Sequence, residues 1–472
     1  MFPPGVHKIL ETLNQAGYEA YVVGGAVRDI LLGRRPKEFD ICTDACPRAV
    51  LDIAAKNNIK AFRKGAAFGV ISWILEGQEY EIATFRTETY GEDAHRPEKV
   101  EFVWALEDDL ARRDFTVNAM AMDRAGTVID PLGGREDLRR GLLRAVGDPE
   151  ERFAEDALRM FRACRFVAEY GFRVERQTRD AIGKALGRVA GLSVERVRDE
   201  LDKLLVAPYA ADGLELMRGT GLLTTECRCR ADGREQIVAV LPEVARLVHI
   251  EQNPRYHTLD VWGHTLRVVA NIPPEPVLRW AALLHDIAKG SPGVRCLNKH
   301  GEPSDYGHAR VGADMARKIL NRLRVPPAIT RRVVWLVRHH MNFPGPERRP
   351  VIKWLRRLAA SFAGRADLAE AVRQLLELRS ADLRGGKVDP EYLLKENDLL
   401  QGMVEKVLWQ VPFYPEDLAV SGGDVAEIMG RGPQVKRTLD DLVASVQAGR
   451  LENHREVLLA ALKRKAARLC NR

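Results

Sequence analysis

Glu38 and Asp40 stand two residues apart in Glu38-Phe39-Asp40-Ile41. Residues 38–41 read as a strand, on which positions i and i+2 share a face, so the two carboxylates form a pair. Just upstream, Val22-Val23-Gly24-Gly25-Ala26-Val27-Arg28-Asp29 reads as a strand over 21–23, a glycine turn, and a helix over 26–32. The two glycines let the backbone pass close to a bound group. They also leave first-turn amides pointing outward, where the helix dipole favours an anion. A carboxylate pair beside a phosphate-sized cradle suits two-metal phosphoryl transfer: ligands for two Mg²⁺ roughly 3.5–4 Å apart, on the attacking and leaving oxygens.

A second constellation, Glu155-Asp156-Ala157-Leu158-Arg159-Met160-Phe161-Arg162, reads as part of one helix with Asp156 and Arg159 at i and i+3 and Arg162 further along that side. Asp accepts from an exocyclic amino group, and Arg donates to a neighbouring ring nitrogen or carbonyl. Cytosine and adenine share that edge. Uracil and guanine reverse it and would leave both side chains facing like groups. One such pair can therefore admit CTP and ATP and reject UTP and GTP. A third constellation lies in residues 256–382: His257, His264, His285-Asp286, His308, His339-His340 and Asp382. The doublet sits at the end of an apolar helix, Trp280-Ala281-Ala282-Leu283-Leu284, which would place two adjacent ligands at a buried helix end.

The elements that must position these groups change along the chain. Up to Pro131-Leu132-Gly133-Gly134, helices and strands alternate: a helix over 5–17, another opened by Pro47, strands over 68–75 and 80–85, a polar loop over 87–97 and a strand over 100–104. That first third is α/β. Beyond Asp148 the strand signals vanish and helical periodicity takes over, again across 250–400 and in the C-terminal segment. Arg230–Glu235 and Pro412–Pro415 read as linkers. The expected organisation is 1–140, 141–230, 231–410 and 411–472.

With 472 residues, 46% hydrophobic and 29% charged, the chain is an ordinary globular protein of about three domains. Lys and Arg total 73 against 66 Asp and Glu, a net +7, with a pI near 9.0. This basic excess is compatible with a nucleic-acid partner. Seven scattered cysteines without a CxxC pair argue against a zinc ribbon or a disulfide framework and for a reducing compartment. No 18-residue apolar span exists and Met1-Phe2-Pro3-Pro4 starts no signal peptide, so a cytoplasmic protein with no membrane partner is expected.

Five segments in order, GGAVRD (24–29), the acidic pair at 38–40, TFRTE (84–88), RRDFTVNAMA (112–121) and DPLGG (130–134), resemble the bacterial class II tRNA nucleotidyltransferases, the CCA-adding enzymes, and the related bacterial poly(A) polymerases. The resemblance implies a nucleotidyltransferase head of the DNA polymerase β superfamily, a mixed sheet with helices, followed by all-α neck/body, HD and tail domains. It implies catalytic divalent ions on Glu38 and Asp40, although the family's usual pair is Asp-x-Asp. It implies nucleotide binding at Gly24, Gly25, Arg28, Arg112, Asp156, Arg159 and Arg162. The 87–97 segment, with Glu88, Glu92, Asp93, His95 and Arg96, resembles the family's flexible loop; Glu81 is a weaker candidate for a third carboxylate. The His-rich segment is similar to HD-superfamily phosphohydrolases. That similarity implies a second divalent metal on His264, His285, Asp286 and Asp382, with His308 and one of His339/His340 supporting a phosphate or a further metal. Ser421 and Asp424 read as helix caps, and Lys436, Arg437, Lys463, Arg464, Lys465 and Arg468 as a basic tail for the tRNA elbow.

The expected function is template-independent addition of C, C and A from CTP and ATP to the 3′ end of tRNA, with a phosphohydrolase on RNA ends as a second activity. The alternatives are CC-only or A-only addition, poly(A) synthesis, and an HD phosphohydrolase whose head only grips RNA.

Overall fold

The computed structural model describes residues 2–65, 69–90, 97–231, 233–386 and 390–470. They form two compact units, one of residues up to 245 with 322–324 and the other of 246–321 with 325–472. Among the described residues no helix is long and apolar enough to cross a membrane.

The first unit opens with helix α1 (Pro4–Gln15), which buries Ile9, Leu10 and Leu13. Strand β1 (Ala20–Val23) enters the core and ends at Gly24, and α2 (Gly25–Leu31) follows. Then come β2 (Asp40–Thr43), α3 (Pro47–Lys56), β3 (Lys60–Gly65), β4 (Val70–Leu75) and β5 (Gln78–Thr84). Strands β6 (Arg86–Tyr90) and β7 (Pro97–Phe102) form a separate antiparallel ribbon. Helix α4 (Leu106–Ala111) leads to β8 (Ala121–Met122) and β9 (Val128–Ile129). The main sheet has the order β3-β4-β5-β2-β1-β8-β9. In it β2 and β5 run parallel, Ile41 opposite Ile82, and β1 lies antiparallel to β2. Val23, Cys42, Phe85, Leu106, Leu110 and Ala121 pack into one buried cluster that ties α4 to the sheet.

Several expectations are corrected here. The strand expected over 38–41 begins only at Asp40, because its register pairs Asp40 with Val23, the last residue of β1. The next partner would be Gly24, whose φ of +73° turns the chain away. Glu38 therefore lies before the strand. The loop expected over 87–97 is strand up to Tyr90; Glu92, Asp93, His95 and Arg96 lie outside the described residues. The strand expected over 100–104 ends at Phe102, leaving Trp104 exposed. The linker expected at Arg230–Glu235 falls instead on the turn of a hairpin, Glu226–Ala231 with Arg234–Ala239.

After α5 (Gly134–Arg139) the first unit becomes mostly helical, with a short parallel pairing of Leu142–Leu143 with Arg173–Val174 and the 226–239 hairpin. The single helix expected through 155–162 is two: α6 (Pro149–Glu155) and α7 (Leu158–Tyr170). Asp156 breaks it. Its φ of −140° is extended and its Oδ1 accepts from the Leu158 amide at 3.0 Å, so it serves the start of α7. Helices Val194–Leu205 and Ala210–Thr220 pack on α7.

The second unit is mostly helical, with one short hairpin, Arg295–Leu297 with Pro303–Asp305. Helices Val261–Asn271, Pro276–Leu284, Pro327–His339 and Arg365–Gly385 pack together. Its last three helices, Gly422–Met429, Gln434–Gln447 and Arg455–Cys470, enclose Val425, Leu442 and Leu458. Ser421 and Asp424 form the expected capping box.

The Pro131-Leu132-Gly133-Gly134 turn yields a direct test. A Cβ on Gly134 would lie 2.2 Å from the Thr116 carbonyl oxygen, while one on Gly133 meets nothing within 4 Å and φ there is +75°. Gly134→Ala is expected to destabilise the first unit by about 1–3 kcal/mol through overpacking. Gly133→Asn, in a left-handed conformation that asparagine tolerates, should be nearly neutral. Urea unfolding of the two variants checks the contrast.

Candidate active site and metal centre

The turn after β1 brings backbone to Asp40. Gly24 combines φ +73° with ψ −133°, and its amide donates to the Met120 carbonyl at 3.2 Å. A Cβ there would stand 2.9 Å from Arg113 Nη1 and 3.9 Å from Asp40 Oδ2. The glycine is what lets an arginine and a carboxylate meet over the turn. Asp40 keeps access to water, yet protein surrounds it on enough sides that burial is the largest cause raising its pKa. The charges of Glu38 and Glu81 raise it further and Arg113 lowers it. Glu38, although outside the strand, thus remains near Asp40, and Glu81 on β5 joins them. Three carboxylates opposed by one guanidinium suit a bound cation.

The arginines expected to meet nucleotide are mostly engaged as struts. Arg28 is buried: it donates to Asn118 Oδ1 (2.5 Å), Asp29 Oδ1 (2.9 Å) and Tyr170 Oη (2.6 Å) and lies 4.5 Å over the Tyr170 ring. Arg162 clasps Asp114 Oδ2 through Nε (2.8 Å) and Nη2 (2.6 Å). Burial raises the Asp114 pKa, but Arg162 and the Asn118 amide outweigh it and hold the carboxyl well below its usual range. Arg159 is buried as well; its Nη1 donates to the Arg152 carbonyl (2.9 Å) and Glu155 Oε2 (2.5 Å), its Nη2 to the Arg112 carbonyl (3.0 Å). The Arg159 amide donates to the Asp156 carbonyl at 3.1 Å, while other residues hold the two side chains. Asp156 Oδ2 accepts instead from Arg196 at 3.1 Å, on the helix packed against α7.

One residue that sequence reasoning did not single out organises the site. Asp109 on α4 is fully enclosed. Its Oδ1 accepts from Arg112 Nε (2.9 Å) and the Arg86 amide (3.3 Å), its Oδ2 from Arg113 Nη2 (3.1 Å). Burial pushes its pKa up, and Arg113 and Arg112 together push it further down. Arg112 reaches on to Glu88 Oε1 at 3.0 Å in the β6–β7 ribbon. The result is a line of alternating charge, Glu88, Arg112, Asp109, Arg113, that ends beside Asp40. An acidic residue three and four positions before an arginine doublet was the available signal.

In the second unit the expected ligands do converge. His264 Nε2 and His285 Nε2 lie 3.3 Å apart, with Asp286 Oδ2 3.7 and 3.2 Å away and Asp382 Oδ1 2.9 Å from His264. On the other side of Asp286, Oδ1 lies 3.3 Å from His308 Nε2 and 3.7 Å from His340 Nε2, and those nitrogens are 3.2 Å apart. His340, not His339, is the inward residue; His339 packs on Trp335. Asp286 thereby belongs to two metal-ligand groups. The hydrogen bonds assign tautomers: His308 Nδ1 is 2.7 Å from the Asp305 carbonyl, and His340 Nδ1 is 2.7 Å from that of Val337. Nδ1 donates to each carbonyl, so both Nε2 atoms face Asp286, where each would offer a lone pair to a metal. Two lone pairs and a carboxylate in that space fit a cation. Burial raises the Asp286 pKa, and His285 and Lys289 outweigh it and keep the carboxyl ionised. His257 stands outside both groups; burial lowers its pKa to about 4.

Three domain families match the chain: the Poly A polymerase head domain over residues 20–144, the probable RNA- and SrmB-binding site of polymerase A over 171–225, and the HD domain over 255–383. Head and HD domains of these kinds use divalent metals, in keeping with the ligand groups described above. The fold and site thus define a nucleotidyltransferase that carries an HD domain. The chain is 35% identical over 461 residues to the CCA-adding enzyme of Geobacillus stearothermophilus, covering 96% of this chain and 95% of that one. With that of Geobacillus sp. (strain WCH70) it shares 33% identity over 451 residues, 95% of this chain and 93% of the other. The crystal structure of the Bacillus stearothermophilus CCA-adding enzyme in complex with CTP matches over the whole of both chains, with a TM-score of 0.68 at 32% identity. The chain belongs to the CCA-adding enzyme family.

The charge line predicts a role for Asp109 in nucleotide addition. Asp109→Asn leaves Arg112 and Arg113 sharing no anion between them, and removing one partner of a buried pair costs about 3–5 kcal/mol. CTP incorporation is expected to fall at least about tenfold, a loss of about 1.4 kcal/mol in the transition state. Asp108→Asn, on the exposed side of α4, should leave the rate unchanged. Single-turnover incorporation by the two variants checks this.

Proposed function

We infer that the chain adds C, C and A from CTP and ATP to the 3′ end of tRNA without a template, in the cytoplasm. The observation that carries this reading is the carboxylate group at Asp40 beside the Gly24 turn, in a chain whose relatives over nearly full length are CCA-adding enzymes. The terminal ribose hydroxyl attacks the α-phosphorus of the nucleotide, and the bond to pyrophosphate breaks. Mg²⁺ held by Glu38 and Asp40, with Glu81 close by, would activate the hydroxyl and neutralise the leaving phosphates. Gly24 and Gly25 give the triphosphate backbone rather than side chain to lie against. Arg113, held by Asp109, brings positive charge to the same place. For base choice, Asp156 exchanges Arg196 for the exocyclic amino group of cytosine or adenine, and Arg159 turns from Glu155 toward the adjacent acceptor. Arg28 and Arg162 hold α2 and the Asp114–Asn118 turn against α7, which fixes the distance between selection and transfer. The basic tail helices supply phosphate contacts to the tRNA elbow.

A second reading concerns the HD cluster. The lone pairs of His308 and His340 aimed at Asp286 favour a metal-holding phosphohydrolase over a purely structural helical domain, and its substrates are RNA ends bearing phosphate.

Labelled CTP, ATP, UTP and GTP supplied to tRNAs lacking the whole CCA end, its last two nucleotides or only the terminal A should show incorporation of C and A alone. Incorporation of ATP alone, or of no nucleotide, would overturn full CCA addition. Asp40→Ala is expected to abolish transfer, and Glu38→Asp, which restores the family's usual pair, to preserve or raise it. Replacing His285 and Asp286 together should remove hydrolysis of RNA-end phosphates and leave nucleotide addition intact, measured on the same preparation.

A further inference from the structure

Positive charge is not spread evenly along the chain. Residues 310–357 carry thirteen Lys and Arg against two Asp and Glu, an excess larger than the +7 of the whole sequence. Part of it surrounds a cavity of about 380 Å³ in the second unit, lined by helices His308–Arg322 and Pro327–His339, within the roughly 300–1,000 Å³ typical of small-ligand sites. Helical spacing builds it. Arg317 and Asn321 stand one turn apart on the first helix, and Pro327, Arg331, Trp335 and Arg338 follow one face of the second. The floor is carbon. Trp335 has its indole Nε1 sealed from solvent with no hydrogen-bond partner among the described residues, so the part of the ring that lines the cavity is apolar; Val334 and Pro327 extend it. The rim is cationic and weakly paired. Arg317 Nη1 and Arg338 Nη2 share one oxygen of Asp314, each at 3.5 Å, longer than a normal hydrogen bond. Arg331 is exposed and has no ion pair among the described residues.

We propose that this cavity seats a free nucleotide carrying two or more phosphates, its base on the Trp335, Val334 and Pro327 floor and its phosphates among Arg317, Arg331 and Arg338. Three guanidiniums around so small a space require comparable negative charge in one compact group. A nucleoside diphosphate supplies it on adjacent phosphates. An acidic peptide carries at most one carboxylate per residue, about 3.3 Å of extended chain apart, and brings too few of them into the cavity. A guanidinium fork meets phosphate oxygens two at a time, and a phosphate displaces the long Asp314 contacts. The floor requires an apolar body as well, since an inorganic polyphosphate leaves it wet. One floor takes one base and not a run of them, which separates a free nucleotide from an RNA strand. Asn321 offers an amide able to pair with the donor–acceptor edge of that base. The seat shares no residue with the carboxylates around Asp40 or with either Asp286 group. It needs no metal, and its occupancy is independent of both of those centres.

The test uses the full chain in EDTA, so that no metal at Asp40 or Asp286 captures phosphate. Equilibrium dialysis measures binding of ADP and of inorganic pyrophosphate, and of ADP in the presence of tRNA. ADP is expected to bind about fivefold or more tightly than pyrophosphate, because only ADP covers the floor. The double replacement Arg331→Ala/Arg338→Ala is expected to weaken both ligands by about tenfold or more. CTP incorporation into tRNA with Mg²⁺ restored should stay at the level of the unaltered chain, which shows the variant folded. Arg331→Ala alone, at a side chain with no ion pair to lose, should weaken ADP in the same direction. Binding of pyrophosphate as tight as ADP, or ADP binding that the arginine replacements leave unchanged, would overturn the seat. Displacement of ADP by tRNA, with tRNA affinity falling in the double variant, would give the face to an RNA strand and overturn it too.

Discussion

A carboxylate with no access to water must be paired or neutralised, and Asp109 is paired twice. That constraint reaches through the whole first unit. One oxygen fixes Arg112, which in turn takes Glu88 of the β6–β7 ribbon; the other fixes Arg113, whose guanidinium lies over Gly24 and beside Asp40. The Arg112 carbonyl receives Arg159 of α7. A single buried charge on a short helix therefore sets the distance between the ribbon, the carboxylates and the start of α7. Because its partners lie in a poorly screened interior, a change at any one of them is felt by the others.

The same logic explains why the arginines in the matched motifs are struts in this state. A guanidinium offers five fixed donors, and satisfying several with protein acceptors makes it a rigid spacer. Arg28 spans Asn118, Asp29 and Tyr170, and Arg162 joins α7 to Asp114. Together they run α2, the Asp114–Asn118 turn and α7 into one polar network, closed by the stacked Tyr170 and Phe172 rings. The base choice proposed for Asp156 needs this rigidity. If Asp156 could drift, a uracil or guanine edge could be met by moving the protein instead of being refused.

Much of this was legible in the sequence wherever one local rule decides the outcome. The strand, glycine turn and helix at 20–31 follow from apolar residues meeting Gly24, and the capping box at Ser421 from its Ser-x-x-Asp spacing. What failed depended on partners distant in sequence. Alternation made Glu38 a strand residue, yet a strand ends where its neighbour does, and β1 stops at Val23. The charge of Glu88 at the head of the polar 87–97 segment suggested a loop, but Thr87, Thr89 and Tyr90 are good strand formers, and that charge is met by Arg86 and Arg112. Helical periodicity carried 155–162 as one element, and Asp156 competed with the backbone and won. The HD ligands were legible as residue types; which of His339 and His340 turns inward depends on helix phase at an end, which spacing alone does not fix.

The two chemical centres reach cation affinity from opposite starting points. Around Asp40 there is too much negative charge: Glu38 and Glu81 raise its pKa with burial, and only Arg113 opposes them. A cation there would relieve repulsion, and an all-oxygen donor group of this kind suits a hard divalent ion. Around Asp286 charge is already compensated by Lys289 and His285, and the Nε2 atoms of His308 and His340 are held toward it by carbonyls behind their rings. Nitrogen-rich surroundings favour metals that bind imidazole over Mg²⁺. The chain therefore presents two donor groups of different chemistry, which would not compete for one ion.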